Sequence, residues 1–157
     1  MKLWFLIVAA GAMWLSVRLP FEKSDVARLT PVSVLLVESG GGKVVIKSDQ
    51  GNSGVGECLA DALEDMELTS TGNIFFDTVE QIIISEDVSV EAEELSDLFR
   101  PGTFVWACKD SPDVEEAGKY LQSQEQKTTL RDYEMGNASL PVLIQIDGRF
   151  YLDGEKN

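Results

Sequence analysis

The sequence predicts an α+β or α/β domain: a mixed β-sheet with three to four amphipathic helices packed on it, preceded by an apolar N-terminal segment. Three observations carry this. Short runs rich in β-branched residues recur at Val32–Val37, Val44–Ile46, Ile82–Ile84 and Phe104–Trp106. Between several of them lie segments with helical periodicity, which call for crossover connections. Glycine, proline and Asp-Gly signals punctuate the boundaries.

The first segment, MKLWFLIVAAGAMWLSVRLPF, is apolar without interruption from Leu3 to Leu15. That core is short for a span, which needs about 20 residues, but extension to Phe21 with Arg18 snorkelling brings it near that length. Ala10-Gly11-Ala12 offers a small-residue cleavage site, yet the residues that follow are still apolar, so an uncleaved signal anchor is favoured over a cleaved signal peptide. Residues 1–21 are therefore read as a membrane anchor, residues 22–30 as a linker and residues 31–157 as a single globular domain lying outside the cytoplasm.

The domain opens with a strand at Pro31–Glu38, a glycine turn and a second strand ending near Asp49, together a β-hairpin. Gly40–Lys43 is not a P-loop, because Val44 stands where Ser or Thr is required. Gly51, Gly54 and Gly56 then lead into a helix whose apolar stripe is Cys58, Leu59, Ala62, Leu63 and Met66. A strand follows at TVEQIIISE, its continuous isoleucines fitting burial on both faces. The second helix, SVEAEELSDLF, takes Ser89 as N-cap. After the strand TFVWACK, the third helix takes Ser111 as N-cap and Pro112 as its first residue. TTLRDYEM adds one or two helical turns, and LPVLIQI-DG-RFYL closes the chain as a tight hairpin. The expected order is ββ-α-β-α-β-α-(α)-ββ.

Composition excludes several functions. The chain of 157 residues has no histidine, so histidine triads, histidine zinc sites and imidazole switches are absent. Its net charge is −14, and the first 23 residues carry three cations against Glu22 alone, so the acidity resides in the domain. Such a surface repels nucleic acid and anionic head groups, leaving residues 3–21 as the only membrane contact.

The glycine loop is the first candidate site. Gly51-x-x-Gly54-x-Gly56 reverses the dinucleotide fingerprint, and Glu57, not a cation, follows it. The expectation is a crossover packed close to the sheet. The cysteines Cys58 and Cys108 lie in no C-x-x-C motif and read as small buried hydrophobes, with a disulfide between them left open. Asp147, Asp153 and Glu155 lack EF-hand spacing, and Asn137-Ala138-Ser139 is a glycosylation sequon of consequence only in a eukaryotic secretory route. No catalytic, cofactor-binding or metal-binding residue is assigned, and the domain is read as non-enzymatic.

Two resemblances add to this. Trp106 and Cys108 end a strand before a helix, and Pro141 precedes a hairpin, which resembles the thioredoxin fold without its second active-site cysteine. An oxidoreductase using Cys108 is thus one alternative, and a small-ligand binder is another. With more reach, the run from Gly54 to Asp110 resembles the N-terminal domain of the C subunit of bacterial spore germinant receptors, the Ger(x)C family. Gly54 or Gly56 stands for the family glycine and Ala62-Leu63 for its helix pair. Ile82, Ile83, Ile84 and Glu86 match the next strand, Leu95 and Leu98 the next helix, and Phe104 and Val105 the last strand. The chain differs in lacking the lipid-accepting cysteine and in reading Asp77-Thr78 where the family carries Gly-His. The resemblance implies a membrane-anchored relative acting by protein contact in sporulation or germination, with no catalytic residues to carry over.

Overall fold

The computed structural model describes residues 29–153. The apolar segment expected to be an anchor lies outside them, and among the described residues no helix is long and apolar enough to cross a membrane.

The main sheet is built outward from three buried strands. β2 (Val34–Gly40), β6 (Gln81–Ser85) and β7 (Phe104–Cys108) run parallel, with Leu36 opposite Ile83 and Ile83 opposite Trp106. All five residues of β6 are buried, as a central strand covered on both faces requires. β3 (Lys43–Ser48) returns antiparallel to β2 through Gly41-Gly42, both at positive φ, the mirror-image turn that two-residue hairpins favour. β4 (Ser53–Gly56) extends that edge. On the other side β9 (Val142–Ile146) lies parallel to β7 and pairs with β10 (Arg149–Leu152), and β8 (Thr128–Thr129) also pairs with β7. The path of the sheet is β10-β9-β7-β6-β2-β3-β4. A separate two-stranded sheet pairs β1 (Leu29–Pro31) with β5 (Asn73–Phe75), so the chain is ordered into a strand two residues before the expected end of the linker.

Among the described residues, four α-helices cover the sheet. On one face α1 (Leu59–Thr69), α2 (Ala92–Leu98) and α4 (Leu130–Glu134) bury Leu59, Ala62, Met66, Leu95 and Leu130 against Leu35, Val37, Ile46, Ile82, Ile84 and Val105. On the other, α3 (Val114–Gln122) buries Val114, Ala117 and Leu121 against Val34, Leu36, Ile83 and Trp106. The alternation of these two sets along β2, β6 and β7 is the period-2 pattern of a two-sided sheet.

The expected mixed sheet and its helices are therefore present, with corrections. The stretch from Ser53 to Gly56 is a strand, where a glycine crossover is expected, and β1, β5 and β8 are additional. Helix starts differ too. α2 begins after Glu91, not Ser89, because Glu93 and Glu94 already fill its first turn. α3 is capped by Asp113, whose carboxylate accepts from Glu116 N at 2.9 Å, while Ser111 is drawn to Glu38 instead. Cys58 caps α1 only by its backbone and is exposed; the carboxylate of Glu94 on α2 accepts from Leu59 N at 2.9 Å. That bond ties the two helix ends together and fixes the register of α1 over the sheet.

Candidate functional site

The three glycines separate into two roles. Gly51 has φ +77 in the turn between β3 and β4 and makes no close contact. Gly54 and Gly56 instead lie against the backbone of α1. A Cβ on Gly54 would sit 2.1 Å from Ala62 O, and one on Gly56 would sit 2.4 Å from Ala62 N. The glycines let strand and helix touch backbone to backbone, which leaves no room for a phosphate between them. Val55 N donates to the Asp65 carboxylate at 2.9 Å, and Thr69 Oγ1 lies 3.5 Å from Ser53 O. Side chains of α1 thereby occupy the outer edge of β4.

The carboxyl ends of the parallel strands, where open α/β sheets collect ligands, hold the main polar cluster. Glu38 on β2 forms an ion pair with Lys47 on β3 and accepts from the Ser111 hydroxyl at 2.6 Å; Lys47 Nζ lies 3.5 Å from that hydroxyl. Lys47 stands opposite Leu36, one diagonal step from Glu38 on the same face. The cluster ties β2, β3 and the loop before α3 together. Beside it, an open groove of about 800 Å³ runs between the Ser48–Ser53 turn and the start of α3. Asp49, Asp113 and Glu115 line it with Lys47 as the cation, so its walls are predominantly acidic. At the end of β6 the Ser85 hydroxyl holds the Asp87 carboxyl below its usual range, with Ser39 N adding a bond at 3.4 Å.

Cys58 and Cys108 are both free thiols, exposed and buried respectively. Cys108 stands next to Ala107, whose N–H donates to Pro141 O at 3.0 Å, so the fold does bring Pro141 beside the strand that ends in this cysteine. The peptide bond before Pro141 is trans. Burial, reinforced by the nearby Glu38 carboxylate, pushes the Cys108 thiol up to about 12. A nucleophilic cysteine needs the opposite shift.

No protein-family model matches the chain, and comparison with curated proteins and with solved structures finds no match.

Among the described residues no three His, Cys, Asp or Glu side chains gather as a metal site. Asp147 occupies the β9–β10 turn at φ 50, Asp153 follows β10, and Glu155 lies outside the described residues. Asn137 is exposed in the loop after α4.

A feature absent from the sequence reading lies on hairpin β9–β10. Leu143 and Leu152 are core residues of the α3 face. On the opposite face, Val142, Ile144, Ile146 and Tyr151 belong to neither core cluster, with Ile146 43% and Tyr151 40% exposed. The alternation VLIQI would have signalled it only if read together with which face the helices cover.

Proposed function

We propose that the chain is a membrane-tethered, extracytoplasmic domain that acts by protein contact and carries out no catalysis. The observation that carries this reading is the apolar strip Ile144, Ile146 and Tyr151, on the face of hairpin β9–β10 away from α3, which belongs to neither core cluster. Apolar surface left uncovered in this way is characteristic of contact sites. The tether rests on the apolar run from Leu3 to Leu15 and its extension to Phe21. The setting in sporulation or germination rests on the resemblance of Gly54–Asp110 to the germinant-receptor C subunit.

The alternative of a thiol oxidoreductase is favoured by one observation, the juxtaposition of Cys108 and Pro141, and opposed by the thiol's raised pKa. The two readings separate in a direct assay. The full chain, in the Cys58→Ser background to remove the exposed thiol, is titrated for thiolate absorbance and tested for reduction of a small disulfide. The contact reading expects no detectable thiolate from Cys108 at neutral pH and no turnover. Cys108-dependent turnover at neutral pH would contradict it. The stability consequence has a definite sign. The folded thiol's pKa, about 12, lies above the ordinary value of 9.0, so its contribution is complete below pH 9 and is lost as pH rises towards 12.

A further inference from the structure

Exposed apolar side chains stand at both ends of the parallel strands. Val34, Gln81 and Phe104 are the opposed first residues of β2, β6 and β7 and mark the starting end. Hairpin β9–β10 lies at the other end, because Leu143 is opposite Cys108, the last residue of β7, and Ile144 and Ile146 run past it. The two-stranded sheet β1–β5 lies at the starting end, where Val32 N donates to Phe75 O at 3.4 Å and Glu80 N to Ser33 O at 2.9 Å. Its Ile74 belongs to the core, so by alternation Leu29 and Phe75 stand on the outer face, 40% and 38% exposed. α1 runs back to the same end. Its Thr69 Oγ1 lies 3.5 Å from Ser53 O, and Ser53 is opposite Lys47, next to the Ser48–Leu35 pair near the start of β2. Leu68, beside Thr69, is 78% exposed.

We propose that this starting end rests on the lipid surface, with Leu29, Leu68 and Phe75 entering the head-group region of a zwitterionic bilayer. The proposal rests on the tethered reading and adds to it a second, interfacial membrane contact. Chain continuity argues for the lipid. Leu29 is itself one of the exposed residues, and residues 22–28 separate it from the apolar run that ends at Phe21. Seven residues reach at most about 25 Å when extended, so an anchored chain holds this end within a short distance of the bilayer. At that spacing the second contact is intramolecular, and a few apolar side chains suffice to keep it. Exposed apolar groups beside an anchor are a recognised form of membrane contact, and their side chains lie in the interface without crossing it. The choice of a zwitterionic surface comes from charge. The domain is acidic, Glu67 adjoins Leu68 and Asp77 closely follows Phe75, so anionic head groups oppose the contact. Resting on this end turns Ile144, Ile146 and Tyr151 away from the bilayer, towards a protein partner.

The test uses the full chain in phosphatidylcholine vesicles, in the Cys58→Ser background, where the remaining Cys108 is buried. Leu68→Cys, Phe75→Cys and Tyr151→Cys are each labelled with a polarity-sensitive fluorophore. Quenching by aqueous iodide is compared with quenching by a lipid carrying a nitroxide near its head group. At positions 68 and 75 the expected result is strong quenching by the nitroxide lipid and several-fold weaker quenching by iodide than at position 151. Position 151 shows the reverse. Replacing part of the phosphatidylcholine with phosphatidylglycerol raises iodide quenching at 68 and 75. Iodide access at 68 and 75 equal to that at 151, in chains that float with the vesicles, would overturn the proposal and leave the tether intact. Shielding of 68 and 75 from both quenchers would overturn it too and give this end to a protein contact. Chains that do not float with the vesicles would overturn the tether and this proposal together.

Discussion

Replacing Gly54 with alanine destabilises the domain by about 3 kcal/mol or more, a fall in melting temperature of about 10 °C or more. The new methyl group would lie 2.1 Å from Ala62 O and 2.6 Å from Met66 N. Both are backbone atoms in the middle of α1, so no side-chain rotation relieves the clash; the helix must move off β4. That movement pulls Leu59, Ala62 and Met66 away from Leu35, Val37 and Ile46 and strains the Asp65 bond to Val55. Gly102→Ala is the control. It meets nothing within 4 Å, lies outside positive φ and changes stability by less than about 0.5 kcal/mol. Thermal unfolding of the two variants checks this. A Gly54→Ala protein as stable as the parent would remove the packing account of the glycines.

Trp106 is the second sensitive position. It is fully buried between the sheet and α3, and its Nε1 has no hydrogen-bond partner among the described residues. Truncation to alanine costs about 4 kcal/mol, most of it from the cavity left under Val114, Ala117 and Leu121. Phenylalanine keeps much of the ring and removes a buried N–H whose desolvation costs about 1–3 kcal/mol. Trp106→Phe is therefore expected within about 1.5 kcal/mol of the parent, by denaturant unfolding. Equal losses for the two variants would mean that the indole nitrogen is paired in solution and that its bond, not ring volume, dominates.

Legibility in the sequence followed the strength of the local signal. The isoleucine run of β6, the apolar stripe Leu59–Met66 and the Asp147-Gly148 hairpin turn each specify their element without help from the rest of the chain. Short strands did not. β1, β5 and β8 hold two or three residues each, and β4 is half glycine; tertiary pairing, not propensity, makes them strands. The cap of α3 moves from Ser111 to Asp113 because the Ser111 hydroxyl is drawn to Glu38, and α2 starts after Glu91 with no side-chain cap, which no local acceptor signal can show. Cys58 fits the apolar stripe by spacing but sits at the cap, before the helix turns inward. The Glu38–Lys47–Ser111 cluster joins residues up to 73 positions apart and depends on strand register. The uncovered strip on β9–β10 was invisible for a similar reason: alternation alone does not tell which of two faces lacks a helix.

The contact reading is tested most directly by comparing one side chain in two settings. In the full chain carrying Tyr151→Cys, a membrane-impermeant maleimide is applied to intact cells and to the purified protein at high dilution, with the native exposed Cys58 as internal reference. The account predicts that Cys58 labels readily in both, which places the domain outside the cytoplasm. It predicts that the position-151 thiol labels readily in the dilute protein and several-fold more slowly in cells, where a partner covers the hairpin. Equal labelling of that thiol in both settings would show a bare surface and contradict the central claim.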